Sequence, residues 1–596
     1  MCGIFGIVTD TEQQLGPILI QAGLRLSYRG YDSVGCATLS DNGTIDLRKD
    51  VGKVGDVADR LDMGSMTGRR GMVQLRWATF GSPSPVNAQP HLDSDGDLVG
   101  AHNGNVVNNV ELRRQFISEG MTVRSTNDGE SCVHAVERYL DRGSSMLEAI
   151  RQAYHDLEGD YSFVIGQAGE EMLYAFKKGS GLVAGLVEGA TCISSDLPSI
   201  LPLTRRVLRI LDGEIVILYA DRVELRSVED GSIIAREEEI VHESMKAAEK
   251  GGYPHFMLKE IHEQPQVAAE LLNLMEASPH AGEMVQRMAS ARHLYFVGCG
   301  TSYHACILGA VYLARLAGRA AFPVLAPQFV PQYGPAIGPD DVGVFVSQSG
   351  ETKDVLNALS VARARGMHVL SLVNVLGSTL MHESECYLPL ACGYEISVPA
   401  TKTFINQVIA FLLLAARMGG HSMQRFSHLP ALLQETLDAC EPQVRQLESD
   451  LATHDDLYCL GYGLTYPIAL EGALKLKEVT YAHCEGMLST EFKHGPLSAV
   501  HDGYPVIFVA GPEDVPLLIS GINETACRGG RTIVIGEDDE RLRSNASDFV
   551  ILPKAGPLLN PVLATLPLQL LSYRLSLLRG HDPDFPRNLS KTLTVD

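Results

Sequence analysis

No two of the 12 cysteines form a C-x-x-C pair, which argues against a zinc ribbon or a dithiol redox motif. No apolar run reaches about 18 residues without a charge or a helix breaker, so no membrane span is expected. Neither a G-x-G-x-x-G turn nor a Walker lysine is present, which disfavours nucleotide binding. Positive charge is scarce: Lys plus Arg is 49 against 72 for Asp plus Glu, a net charge of −23. That balance argues against a nucleic-acid backbone as partner, while leaving room for a local basic site. The short apolar run from Cys2 to Val8 has no cationic stretch before it. No signal peptide is read, and the cytoplasm, where free thiols persist, is the expected compartment. No metal or cofactor site is read. What remains is 596 residues, 45% hydrophobic and 20% charged, enough for three or four globular domains at roughly 150 residues each.

From Cys2 to about Val223 short strands alternate with Gly and Asp/Asn turns. Cys2–Val8, Gly71–Leu75 and Ser162–Gly166 read as buried strands. Ile18, Ala22 and Leu26 mark one face of a short helix. The stretch 229–252 is polar and charged and reads as a connection. From about Ala289 strands and helices alternate, and the pattern repeats. Leu294-Tyr295-Phe296-Val297-Gly298 is echoed by Leu457-Tyr458-Cys459-Leu460-Gly461, and Val342–Val346 by Val506–Val509. The expected organisation is a first domain at 2–223, a linker with a connecting helix at 224–283, two doubly wound parallel α/β copies at 284–424 and 446–586, and a tail at 587–596.

Met1-Cys2-Gly3-Ile4-Phe5-Gly6 carries the first chemical signal. Cys2 is either core or, once Met1 is removed, a nucleophile bearing its own α-amine as base. The amine has a reference pKa of about 7.7–8.0 and the thiol of about 8.5, suited to attack near neutrality. Three clusters accompany it: Tyr28–Ser33, Arg76–Gly81 with Asn87–His91, and His102–Asn105 with Asp128. If Cys2 attacks a side-chain amide, Asn103 and the Gly104 N–H suit its oxyanion. Arg76 suits a substrate carboxylate, and Asp128 its ammonium.

CGIFG, YRGYDS, RWAT-x-G and HNG, in that order, resemble the class II (N-terminal nucleophile) glutamine amidotransferase domain. The resemblance implies a four-layer αββα fold with Cys2 as nucleophile and an oxyanion hole at Asn103 and Gly104. It implies glutamine binding by Arg76, Thr79 and Asp128, and an ammonia channel gated by Trp77. Phe80 and Gln89 depart from the sugar-amidating branch, which usually has His at both. Asn105 is closer to the amidophosphoribosyltransferase branch.

In the repeated half, Ser347-Gln348-Ser349-Gly350-Glu351-Thr352 lies between a strand and a helix, which suits a phosphate monoester or a plain Ser-rich helix cap. Cys299-Gly300-Thr301-Ser302 occupies the equivalent turn before it. Glu471, Lys475 and Glu478 fall on one helix face at i, i+4 and i+7. With His494 in Glu491–Pro496 they could move protons in a sugar isomerisation. CGTS, SQSGET, EGALKLKE, KHGP and the C-terminal RNL-x-K-x-x-TV resemble the two sugar isomerase (SIS) domains of the isomerising glutamine–fructose-6-phosphate aminotransferases. The likeness spans nearly the whole chain. It implies glutamine-dependent conversion of fructose 6-phosphate to glucosamine 6-phosphate, the entry to hexosamine synthesis, by a homodimer sharing its active sites. Thr301, Ser302, Ser347, Gln348, Ser349, Thr352, Val398 and Glu471 would hold the sugar phosphate. Lys591 would form a Schiff base, Glu478 would shuttle the proton with Lys475 assisting, and His494 of the neighbouring subunit would open the ring. Pro399, which lacks an N–H, departs from the usual small-residue loop. Three alternatives stay open: a paralogue or deglycase for another sugar phosphate, a sugar-phosphate-binding regulator, and an amidophosphoribosyltransferase.

Overall fold

The computed structural model describes residues 2–241 and 250–591. Met1, part of the expected linker and the last residues of the expected tail lie outside the described residues. The chain forms two compact units, one before and one after the 242–249 stretch.

The first unit contains an eight-stranded and a seven-stranded sheet, with antiparallel pairing in both. Strand β1 (Gly3–Gln14) runs between Ala190–Ser194 and β2 (Thr67–Arg76). Its side chains alternate as a pleat dictates. Ile4 and Val8 join Val99, Ala101 and Val164 of the other sheet in one core. Phe5 and Ile7 point the other way, into a core with α1 (Gly16–Leu26). The second sheet, containing β3 (Leu98–Val106), packs its far face on α2 (Asp128–Leu140) and neighbouring helices. The layers are therefore helix, sheet, sheet, helix, the expected αββα order. On α1 the buried face is Leu19, Ala22 and Leu26. Ile18, expected there, is only half-buried because the face is turned by one residue.

The stretch expected as linker from residue 224 contributes strands instead. Val223–Ser227 pairs with Glu214–Leu218, Ile233–Ile234 extends that sheet, and Glu239–Ile240 closes the edge of the other. The last two of these strands are only two residues long, set in a polar and charged stretch, so composition alone gave them the look of a linker.

The second unit opens with α3 (Phe256–His262) and then holds two five-stranded parallel sheets. The first comprises β4 (Leu294–Gly298), β5 (Phe322–Leu325), β6 (Val342–Ser347), β7 (His368–Val373) and β8 (Cys386–Pro389). The second comprises β9 (Asp456–Gly461), β10 (His483–Leu488), β11 (Pro505–Val509), β12 (Arg531–Glu537) and β13 (Asp548–Leu552). Their orders, β5-β4-β6-β7-β8 and β10-β9-β11-β12-β13, are the same 2-1-3-4-5 arrangement. Helices α4 (Gly300–Ala317), α5 (Lys402–Met418), α6 (Leu429–Leu451), α7 (Tyr466–Thr480) and α8 (Gly556–Leu578) join both sheets in a single core. Helix α8 has the length and composition of a membrane-crossing helix, but Val562, Leu566 and Leu570 are fully buried in that core.

Candidate active site

Two groups of polar side chains are built where regular structure ends. In the first unit, Cys2 precedes β1 and is buried. Its Sγ lies 3.4 Å from the Trp77 N–H and 3.6 Å from the Trp77 carbonyl, just beyond the end of β2. The crossing is close. A Cβ on Gly30 would stand 2.7 Å from the Arg76 carbonyl carbon, so only glycine fits. Burial raises the Cys2 thiol above its usual value; the Trp77 N–H and Arg76 oppose this, and Asp128 adds to it. A thiol so placed needs a base to become nucleophilic.

Arg76 is buried, and its guanidinium donates to the carbonyls of Phe80, Gly81 and Ser82, curling the loop around it. Its Nε has no partner among the described residues. Asn103 is more unusual: both atoms of its buried amide lack partners there. A buried unpaired amide costs roughly 1–3 kcal/mol, and Asn103 has both a donor and an acceptor to offer a ligand. Gly104 follows with φ +101°, and a Cβ there would meet the Asp160 carbonyl oxygen at 2.0 Å. Gly104→Ala is therefore expected to shift the backbone at Asn103 and to lower Tm by at least about 2 °C; an unchanged Tm would show that the strand accepts a side chain there. Asp128 begins α2, where a helix N-terminus favours an anion. Its Oδ2 accepts from His102 Nε2 at 3.2 Å and from the Val106 N–H at 3.0 Å. Trp77 is half-buried and Thr79 exposed on the loop after β2.

In the second unit, the turn after β4 carries Thr301 and Ser302, and the turn after β6 carries Ser347 to Thr352. In a 2-1-3-4-5 sheet these two turns flank the switch point, where ligands bind. Ser347 Oγ lies 3.0 Å from Thr352 Oγ1 and accepts the Gly350 N–H at 3.0 Å, while Ser349 Oγ accepts the Glu351 N–H. Gln348 is half-buried beside them. Ser302 Oγ accepts from Gln407 of α5 at 3.0 Å. Thr301 does something further. Its hydroxyl donates to Glu471 at 3.1 Å and accepts from Lys475 at 3.1 Å, tying the first copy to α7 of the second.

Helix α7 carries the stripe as expected. Lys475 Nζ lies 2.5 Å from Glu478 and 3.4 Å from Glu471. Burial opposes the charge on Lys475, but Glu478 and Glu471 outweigh it and raise its pKa. Burial raises Glu478 above the usual carboxylate range, against the pull of Lys475 and Lys591. His304, which sequence reasoning passed over, caps the group with Nδ1 2.8 Å from Glu471.

Lys591 is the second centre of this site. Its Nζ donates to Glu395 at 2.5 Å and to the Ser397 carbonyl at 2.8 Å. Glu395 also accepts the Thr401 and Thr403 N–H groups and the Thr403 hydroxyl. Burial alone would raise Glu395, but Lys591 and these bonds hold it below the usual range. Beneath it Glu260 of α3 accepts the Ile396 and Ser397 N–H groups. Burial and the neighbouring Glu395 push Glu260 up to about 8. Glu395 and Glu260 were not singled out in the sequence; their only signal was the Glu395–Lys402 loop, noted for Pro399. In that loop the Val398 N–H is taken by the Asp584 carbonyl, and Pro399 has no N–H. His494 is exposed on the turn Phe492–His494, and among the described residues no side chain bonds its ring.

Among the described residues, His280, Glu283 and Cys386 form the one group spaced for a metal. Arg287 already holds Glu283, and burial pushes the Cys386 thiol up to about 11. Both effects oppose a cation.

Family models match at both places. A glutamine amidotransferase domain matches residues 76–201, and the SIS domain matches twice, at 287–417 and 450–579. The isomerising glutamine–fructose-6-phosphate aminotransferase of Methanothermobacter thermautotrophicus is 39% identical over 602 residues, covering both chains completely. That of Aquifex aeolicus is 37% identical, again across both whole chains. The solved C-terminal domain of glucosamine-fructose-6-phosphate aminotransferase from Francisella tularensis is 29% identical, with a TM-score of 0.53, covering 56% of this chain and 99% of that one. The thiol at the head of β1 and the lysine on Glu395 thus sit on a chain that belongs, along its whole length, to the isomerising glutamine–fructose-6-phosphate aminotransferases.

Proposed function

We propose that this protein converts L-glutamine and fructose 6-phosphate to glutamate and glucosamine 6-phosphate through two linked sites. The observation that carries the reading is Lys591 Nζ paired with Glu395, within electrostatic reach of Glu478. A nucleophilic amine and a carboxylate of raised pKa are what imine formation followed by proton transfer requires.

At the first site the Cys2 thiolate attacks the glutamine carboxamide. Asn103 and the Gly104 N–H take the oxyanion, ammonia leaves, and water hydrolyses the thioester to glutamate. Arg76 and Thr79 hold the α-carboxylate end and Asp128 the ammonium. At the second site Ser302, Ser347, Gln348, Ser349 and Thr352 bind the phosphate, with Thr301 and Glu471 setting Lys475. His494 of a second copy opens the ring. Lys591 passes its proton to Glu395 and adds to C2, giving an imine and water. Ammonia then displaces the lysine, and Glu478 carries a proton from C1 to C2, leaving the aldose. The same proposal includes a homodimer in the cytoplasm and internal ammonia transfer gated by Trp77. Free ammonia is protonated in water and loses its nucleophilicity, so a closed route preserves it.

The test is isotopic. With amide-¹⁵N glutamine, fructose 6-phosphate and excess unlabelled ammonium, the glucosamine 6-phosphate formed is expected to carry ¹⁵N. Unlabelled product would refute internal transfer, and no product from fructose 6-phosphate would refute the assignment and favour another sugar phosphate.

A further inference from the structure

Gln89 is fully buried, and among the described residues its amide makes three hydrogen-bond contacts, all with His102. The His102 backbone N–H donates to Oε1 at 2.7 Å. Nε2 donates to the His102 carbonyl at 3.1 Å and lies 3.0 Å from Nδ1 of the same ring. The two ends of a carboxamide are alike in shape, but these partners tell them apart. A backbone N–H only donates and a carbonyl only accepts, so the amide cannot be turned over without losing both bonds. The group facing Nδ1 is therefore a donor, and Nδ1 must accept. A neutral ring so held carries its single proton on Nε2.

That proton points at Asp128, whose Oδ2 lies 3.2 Å away in a fully buried pair. The Val106 N–H donates to the same oxygen, leaving Oδ1 with a single contact among the described residues, from Asn127 Nδ2 at 3.2 Å. Each link fixes the next. The amide sets the tautomer, the tautomer supplies a donor to Oδ2, and the donor leaves Oδ1 as the oxygen with acceptor capacity to spare. Without the Gln89 donor the ring proton could move to Nδ1. Two lone pairs would then face each other at the Asp128 end, and the carboxylate would turn away or take up a proton. A protonated carboxyl no longer pairs with an ammonium ion.

We propose that Gln89 is a positioning residue that sets the His102 tautomer, holds Asp128 as an oriented anion, and so makes the glutamine site selective for an α-ammonium. The inference rests on the reading of Asp128 as the ammonium acceptor. A histidine at position 89 would present a ring that can itself change tautomer and charge; the glutamine amide does neither.

The experiment compares hydrolysis of L-glutamine with that of glutaramate, which has the carboxamide and carboxylate but no α-amino group. The readout is the ratio of the two kcat/KM values in the full-length enzyme. Gln89→Leu and Gln89→Met are expected to lower this ratio at least tenfold, chiefly through KM for glutamine. Gln89→Met is close to the native side chain in length and has no donor to offer Nδ1, so it tests the bond without opening a large cavity. Asp128→Asn calibrates the assay. If Asp128→Asn lowers the ratio and both Gln89 variants leave it unchanged, the relay is overturned while Asp128 keeps its role. If Asp128→Asn leaves the ratio unchanged, the Asp128 reading fails and the relay with it. An equal loss on both substrates in the Gln89 variants would show a purely structural role and would also overturn the proposal.

Discussion

Replacing Cys2 by alanine is expected to lower glutamine-dependent formation of glucosamine 6-phosphate by at least about 10⁴-fold, because an enzyme stripped of its nucleophile retains only binding and oxyanion stabilisation. The structure sharpens this expectation. The thiol is buried against Trp77 and its pKa is raised, so no nearby side chain makes it a ready thiolate. Activation must come from a base at the site, and the α-amine of Cys2 is the group that chemistry supplies once Met1 is removed. Intact mass would show that removal, and an uncleaved Met1 in active enzyme would refute the α-amine as base. Isomerisation of fructose 6-phosphate is a separate reaction of the other unit and is expected to survive in Cys2→Ala. Glutaminase activity persisting in that variant would refute Cys2 as nucleophile; loss of isomerisation with it would show that the two activities are not separable.

How much of this was legible beforehand differs from residue to residue. Cys2 and the Glu471–Lys475–Glu478 stripe were readable because position two and helical spacing are local properties. The repeated strands were readable because fully buried parallel strands are short and apolar throughout. Edge strands at Ile233–Ile234 and Glu239–Ile240 were not, since each is two residues long, too short to show an alternating pattern. Glu395 was missed for a different reason: its partner Lys591 is 196 residues away, and nothing in the local pattern signals such a pair. Gln89 was noticed only as a departure. Its meaning came from the ring 13 residues on, which folding brings against it.

Lys591 yields the other large effect. Borohydride reduction in the presence of fructose 6-phosphate is expected to attach the sugar covalently to Lys591 in the wild type and to fail in Lys591→Ala. That variant also strands Glu395, a buried carboxylate whose cation has gone, which by itself costs several kcal/mol. Lys591→Arg removes this ambiguity: it keeps a positive charge facing Glu395 but has no amine able to form an imine. If trapping persists in Lys591→Arg, another lysine carries the chemistry. Glu395→Gln separates the next step. The amide keeps the shape that receives the Thr401 and Thr403 N–H groups but cannot take the proton that Lys591 gives up on adding to the carbonyl. Trapping is then expected to slow by about 10²–10³-fold, the scale of a lost general base. Trapping at the wild-type rate in Glu395→Gln would mean that the 2.5 Å pair only positions Lys591 and that its proton leaves by another route.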